Sequence, residues 1–89
     1  MQTPTVTASQ KALQQPLGQL SSTACARIMD FTGGRSMQQR LQMLGIRRGT
    51  EFCLVQGPSK RGAVVQVGGA RIALGWGVIQ QILVTELPR

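Results

Sequence analysis

The sequence has no histidine and no tyrosine, and its acidic residues number three: Asp30, Glu51 and Glu86. Without an imidazole, the usual proton shuttle near neutral pH is missing. What remains offers neither a nucleophile–base pair nor a carboxylate dyad, so the residues read as a non-enzyme. Aromatic residues are scarce too. Only Phe31, Phe52 and Trp76 occur, so the core must be aliphatic.

Cysteine is limited to Cys25 and Cys53, and neither belongs to a CxxC pair. Two cysteines make no disulfide framework, and a closed zinc site takes four good ligands. The expectation is two small, free, half-buried thiols. A surface metal held by Cys25 or Cys53 with Glu51, within one chain or between two, is the alternative. No cofactor is required by these residues, which leaves room for an adventitious or regulatory divalent ion.

Long hydrophobic runs are also lacking. No segment approaches the ~18–20 apolar residues of a membrane span. The opening MQTPTVTASQKALQQ has neither the basic nor the apolar region of a signal peptide, and the expected location is cytoplasmic.

What is present is positive charge. Ten Lys and Arg residues against three acids give a formal net charge of +7 on 89 residues. That size argues for one small domain, whose single core rarely supplies more than about 3–5 kcal/mol. The charge favours an anionic partner: nucleic acid, an inner membrane surface or an acidic protein face.

Residues 1–15 are rich in Thr, Gln and Ser without an apolar period and read as a flexible tail. The folded domain is expected over 16–89, opening with one helical turn at Leu17 and Leu20. ACARIMDF, residues 24–31, alternates as a first strand, with Ala24, Ala26 and Ile28 on one face and Cys25, Arg27 and Met29 on the other. After Gly33-Gly34 a helix is predicted, with Ser36 as N-cap and Gln39 completing a capping box. Met37, Leu41 and Leu44 form its apolar stripe, widened by Met43 and Ile46, and Gly45 is placed for a left-handed C-terminal cap. TEFCLVQ, residues 50–56, is a second strand with Phe52 and Leu54 inward. GPSKRG, residues 57–62, reads as a mobile hairpin tip. AVVQV and ARIAL follow as strands around Gly68-Gly69, then one helical turn at 77–81 and a last strand, ILVTE. Five short strands with one inserted helix are too few crossovers for a doubly wound sheet. They predict a mainly β, SH3-like, partly open barrel.

In this order the segments resemble the FeoA family, the ferrous iron transport protein A of bacteria. LGQL opens the fold, ACARIMDFTGG fills the first strand, RLQMLGIRRGTEFCLV the helix, turn and second strand, and AVVQVGGARIALGWGVIQQILV the remainder, over about residues 17–86. The most specific element is R-L-x-x-L-G-I-x-x-G-T, from Arg40 to Thr50, followed by V-x-V-G-G-A-R-I-A-L. Family members usually carry Pro-Gly where this chain has Ser21-Ser22-Thr23, a proline where it has Arg48, and a charged stretch where it has Gly75-Trp76-Gly77. The resemblance implies an SH3-like fold and a cytosolic accessory role in ferrous iron uptake. It also implies a partner, the membrane transporter FeoB with its GTPase domain.

The residues expected to meet that partner are Arg47, Arg48, Lys60 and Arg61, as steering charges, and Trp76, as an apolar anchor. Each has a plainer reading. Arg47 and Arg48 follow a helix C-terminus, where cations suit the dipole. Lys60 and Arg61 sit at a turn without P-loop spacing or a following helix. Trp76 can cap the core. Met29, Met37 and Met43 read as core or shell filler rather than soft-metal ligands. Two other functions fit the composition: a nucleic-acid-binding module, disfavoured by the shortage of aromatic stacking platforms, and a regulatory domain acting within an oligomer. A homodimer is left open.

Overall fold

The computed structural model describes residues 14–88, so the tail expected over 1–15 lies almost wholly outside the described residues. Six strands form one antiparallel sheet: β1 (Gln14–Pro16), β2 (Cys25–Phe31), β3 (Glu51–Ser59), β4 (Gly62–Val67), β5 (Ala70–Leu74) and β6 (Ile82–Glu86). Their spatial order is β1-β6-β2-β3-β4-β5, and β1 and β5 are the two ends of a partly open sheet. A 3₁₀ turn (Leu17–Gln19) follows β1. The helix α1 (Arg35–Met43) joins β2 to β3, and the short helix α2 (Trp76–Ile79) joins β5 to β6.

The five expected strands are all present. The sixth, β1, had no apolar period to reveal it: it is three residues long and pairs with β6 from Gln14↔Thr85 to Pro16↔Leu83. The second strand runs further than expected. It continues through Gly57 and Pro58 to Ser59, where Ser59 pairs with Gly62, so that only Lys60 and Arg61 form the turn. Irregular pairing after Leu54 and after Gln56 bends β3 and lets it carry a glycine and a proline.

Period-two alternation puts the inward residues where the sequence predicts. Ala26, Ile28, Phe52, Leu54, Val65, Ile82 and Val84 are all buried, and Leu17, Leu41, Ile46 and Ile79 close the core from the helical side. No polar or charged residue among those described is buried. The interior is aliphatic, with Phe31 and Phe52 its aromatic members. Burial of each large aliphatic side chain contributes roughly 1.5–3 kcal/mol, and these terms must offset the ordering of the whole chain.

The helix differs from its prediction at both ends. Gly34, not Ser36, is the N-cap, and no side chain caps the first turn; Gln38 instead donates from its side-chain amide to the Gly33 carbonyl. At the other end, Leu44 and Met43 leave the expected apolar stripe. Met43 is 86% exposed and Leu44 50%, whereas Leu41 and Ile46 are buried. The cause is the cap. Ile46 N–H donates to the Leu41 carbonyl and Gly45 N–H to the Gln42 carbonyl, the paired bonds of a Schellman motif. Gly45, at φ 88°, reverses the chain and turns Ile46 back onto Leu41. Ile46 therefore fills the position that helical periodicity assigns to Leu44.

Candidate functional site

The stretch from Arg40 to Thr50 builds the most distinctive surface of the molecule. After the Schellman cap, Thr50 N–H donates to the Arg47 carbonyl at 3.0 Å, closing a four-residue turn with Gly49 at φ 90° in its third position. The Thr50 hydroxyl accepts from Arg47 N–H, and Gly49 N–H donates to the Ile28 carbonyl, which ties the turn to β2. The two arginines of this turn have different fates. Arg48 donates from Nε and Nη2 to a single oxygen, Asp30 Oδ1, at 3.0 and 2.8 Å. Its guanidinium also lies 5.5 Å from the Phe31 ring centroid. Arg47 makes no ion pair among the described residues and stays exposed beside Met43. With Gln39 and Gln42, these two line a shallow depression.

Asp30 Oδ1 accepts a third bond, from Phe31 N–H at 2.8 Å. That backbone bond first, and the Arg48 hydrogen bonds next, hold the Asp30 carboxyl below its ordinary value of 3.8. The other ion pair among the described residues joins Arg27 to Glu51 at 2.7 Å across β2 and β3. Both pairs are about half exposed, so they orient side chains more than they stabilise the fold. Two of the three acids are thus engaged with arginine. Arg35, Arg40, Arg47, Lys60, Arg61 and Arg71 carry the unpaired positive charge of the described surface.

The expected steering residues lie at the two ends of β3. Arg47 and Arg48 precede β3, and Lys60 and Arg61 follow it. Nine strand residues, bent by two irregular pairings, stand between them. Arg61 lies instead near the β5–α2 junction, where it lines an open groove with Gly62, Leu74 and Gly75. Trp76 follows Gly75 and is 42% exposed. The charges therefore divide between a helix-end patch, holding Met43, Leu44 and Arg47, and a hairpin patch with Arg61 near Trp76. Sequence periodicity missed Met43 and Leu44, because it counts both as core.

The cysteines correct the sequence reading. Cys25 and Cys53 are not free thiols: they form a disulfide, with a Cα–Cα separation of 3.9 Å. The two residues face each other in the β2–β3 ladder. The bonds Leu54 N–H to Ala24 carbonyl and Ile28 N–H to Thr50 carbonyl make 25↔53 and 27↔51 the non-hydrogen-bonded pairs, in which side chains approach most closely. Bonded sulfurs are not metal ligands, and Glu51 is held by Arg27. Among the described residues no group of three or more His, Cys, Asp or Glu is placed to hold a metal ion.

The FeoA domain family matches residues 15–86, most of the chain and all of the sheet except the first residue of β1. This chain belongs to the FeoA family. Among solved structures, an iron uptake regulatory protein (FeoA) is 23% identical and superposes with a TM-score of 0.76, over 83% of this chain and 99% of its own. The iron(II) transport protein A from Clostridium thermocellum is 28% identical, with a TM-score of 0.66 over 85% of this chain and 43% of that one. The manganese regulator SloR shares the fold at 11% identity, with a TM-score of 0.73. This chain covers 82% of its own length there and spans about a third (34%) of that regulator. A search of curated proteins finds no match. The fold is the SH3-like one of FeoA proteins. No helix of the described residues is long and apolar enough to cross a membrane.

Proposed function

We propose that this FeoA-family domain is a non-enzymatic accessory of ferrous iron uptake, docking on the cytosolic part of a FeoB-type transporter and supporting its work. The observation that carries the reading is the helix-end patch. An unbranched methionine and a leucine stand exposed beside an unpaired arginine, on a chain of net charge +7. Such a surface suits an acidic protein face with an apolar centre. Met43 and Leu44 supply adaptable apolar contact and Arg47 steers the encounter. Lys60, Arg61 and Trp76 offer a second contact at the hairpin end.

A nucleic-acid partner fits the charge but not the rings. Phe31 and Phe52 are buried, which leaves Trp76 as the one aromatic side chain for stacking.

The test is the kinetics of binding to detergent-solubilised transporter from the same organism. An Arg47→Glu variant is expected to associate several-fold more slowly at low salt, with dissociation little changed. Equal association rates for variant and wild type at low salt would remove Arg47 from the docking face.

A further inference from the structure

We infer that Cys25–Cys53 is a site of reversible thiol–disulfide exchange with small-molecule thiols, and that its state sets how firmly the two halves of the sheet are joined. The inference does not rest on the docking proposal.

Three observations carry it. First, the bond lies on the solvent side of the sheet, with Cys53 exposed and Cys25 half-buried. Second, it lines an open groove of about 770 Å³ together with Val55, Gln66, Leu87 and Pro88, a volume in the range that admits small molecules. A thiol can therefore reach the sulfur without unfolding of the chain. Third, the bond crosses the seam between β1-β6-β2 and β3-β4-β5. The register of that seam covers 25↔53, 26↔52 and 27↔51, extended at both ends by the bonds from Leu54 N–H to the Ala24 carbonyl and from Ile28 N–H to the Thr50 carbonyl. On the solvent face, the disulfide and the neighbouring Arg27–Glu51 pair link its two strands.

The chemistry balances with two equivalents of thiol. A thiolate attacks the sulfur of Cys53, the more exposed residue of the pair. The new S–S bond forms as the Cys25–Cys53 bond breaks, and the electron pair leaves on the Cys25 sulfur. A second thiolate attacks the sulfur of the bound thiol. It releases the small-molecule disulfide and leaves Cys53 as a thiolate; both protein thiolates then take protons from water. The protein disulfide is reduced and two thiols are oxidised to one disulfide. Oxidised small-molecule disulfide drives the reverse.

The test uses the full chain without denaturant, equilibrated in buffers of varied reduced and oxidised glutathione. Free thiols are trapped with a maleimide and counted by intact mass, and amide hydrogen exchange is followed in parallel. Two adducts are expected to appear together as the buffer becomes reducing and to disappear when it is made oxidising. The Ile28 and Leu54 amides, which bond across the seam, are expected to exchange at least ten-fold faster in the reduced protein. A Cys25→Ser/Cys53→Ser double variant is expected to match the reduced protein in exchange, independent of buffer. Adducts that form only in denaturant would overturn the inference, as would two adducts at every ratio. Unchanged exchange on reduction would overturn its claim on the seam.

Discussion

Arg48 and Asp30 are joined by two hydrogen bonds that converge on one carboxylate oxygen, at 3.0 and 2.8 Å. The pairing register between β2 and β6 shifts between Ile28 and Asp30, beside the oxygen that Arg48 and Phe31 N–H share. The pair has a pH signature. Asp30 titrates below 3.8 in the folded chain, so its contribution to stability is present above that value and falls away as pH drops through the folded pKa. Wild type and Asp30→Asn are expected to differ by a constant amount in urea midpoint above about pH 5, and the difference is expected to shrink below pH 4. A difference that is constant down to pH 2 would show that the pair does not hold the proton off in solution.

Two glycines separate conformation from space. Gly45 and Gly62 both have positive φ, at 88° and 103°. A Cβ at Gly45 would meet nothing within 4 Å, whereas one at Gly62 would lie 2.0 Å from the Leu74 carbonyl oxygen. Gly45→Ala is expected to cost about 1–2 kcal/mol, the left-handed penalty alone. Gly62→Ala is expected to cost more, because β4 and β5 must part to admit the methyl. Urea unfolding of both variants checks the order.

Ile82 is fully buried at the start of β6, between β1 and β2 in the sheet. Ile82→Ala is expected to destabilise by about 2–5 kcal/mol. For a domain of this size that is a large share of the total, so the variant is expected to be partly unfolded at 37 °C by circular dichroism.

Met43 carries the opposite expectation. A side chain this exposed contributes little to folding, so Met43→Gln is expected to leave stability within about 0.5 kcal/mol. The same change is expected to weaken transporter binding. A marked loss of stability would return Met43 to the packing role that its sequence position suggested.

Much of the fold was legible in residue order. Alternation marked the strands at 24–31, 50–56, 63–67, 70–74 and 82–86, because the inward side chains of most of them recur every second residue until a register shift interrupts the period in β2 and β3. The RLQMLGIRRGT segment and the VQVGGARIAL segment together pointed to the FeoA family. Three things were not legible. The strand at 14–16 is too short to show a period. Leu44 was assigned inward because helical spacing cannot register a Schellman reversal that substitutes Ile46. The disulfide needed register: Cys25 and Cys53 are 28 residues apart, and only the pairing of β2 with β3 sets them face to face. The charges followed the same rule. Arg47 and Arg48 are neighbours in sequence, yet one is bound to Asp30 and the other faces solvent.

We propose that this domain docks on a FeoB-type transporter through a basic, partly apolar surface. The most direct measurement is equilibrium binding of the purified domain to the detergent-solubilised transporter from the same organism across a salt series, with generic RNA as the parallel ligand. Saturable binding at micromolar or better affinity is expected, persisting in moderate salt and weakening for Met43→Gln. Binding to RNA alone, collapsing as salt rises, would contradict it.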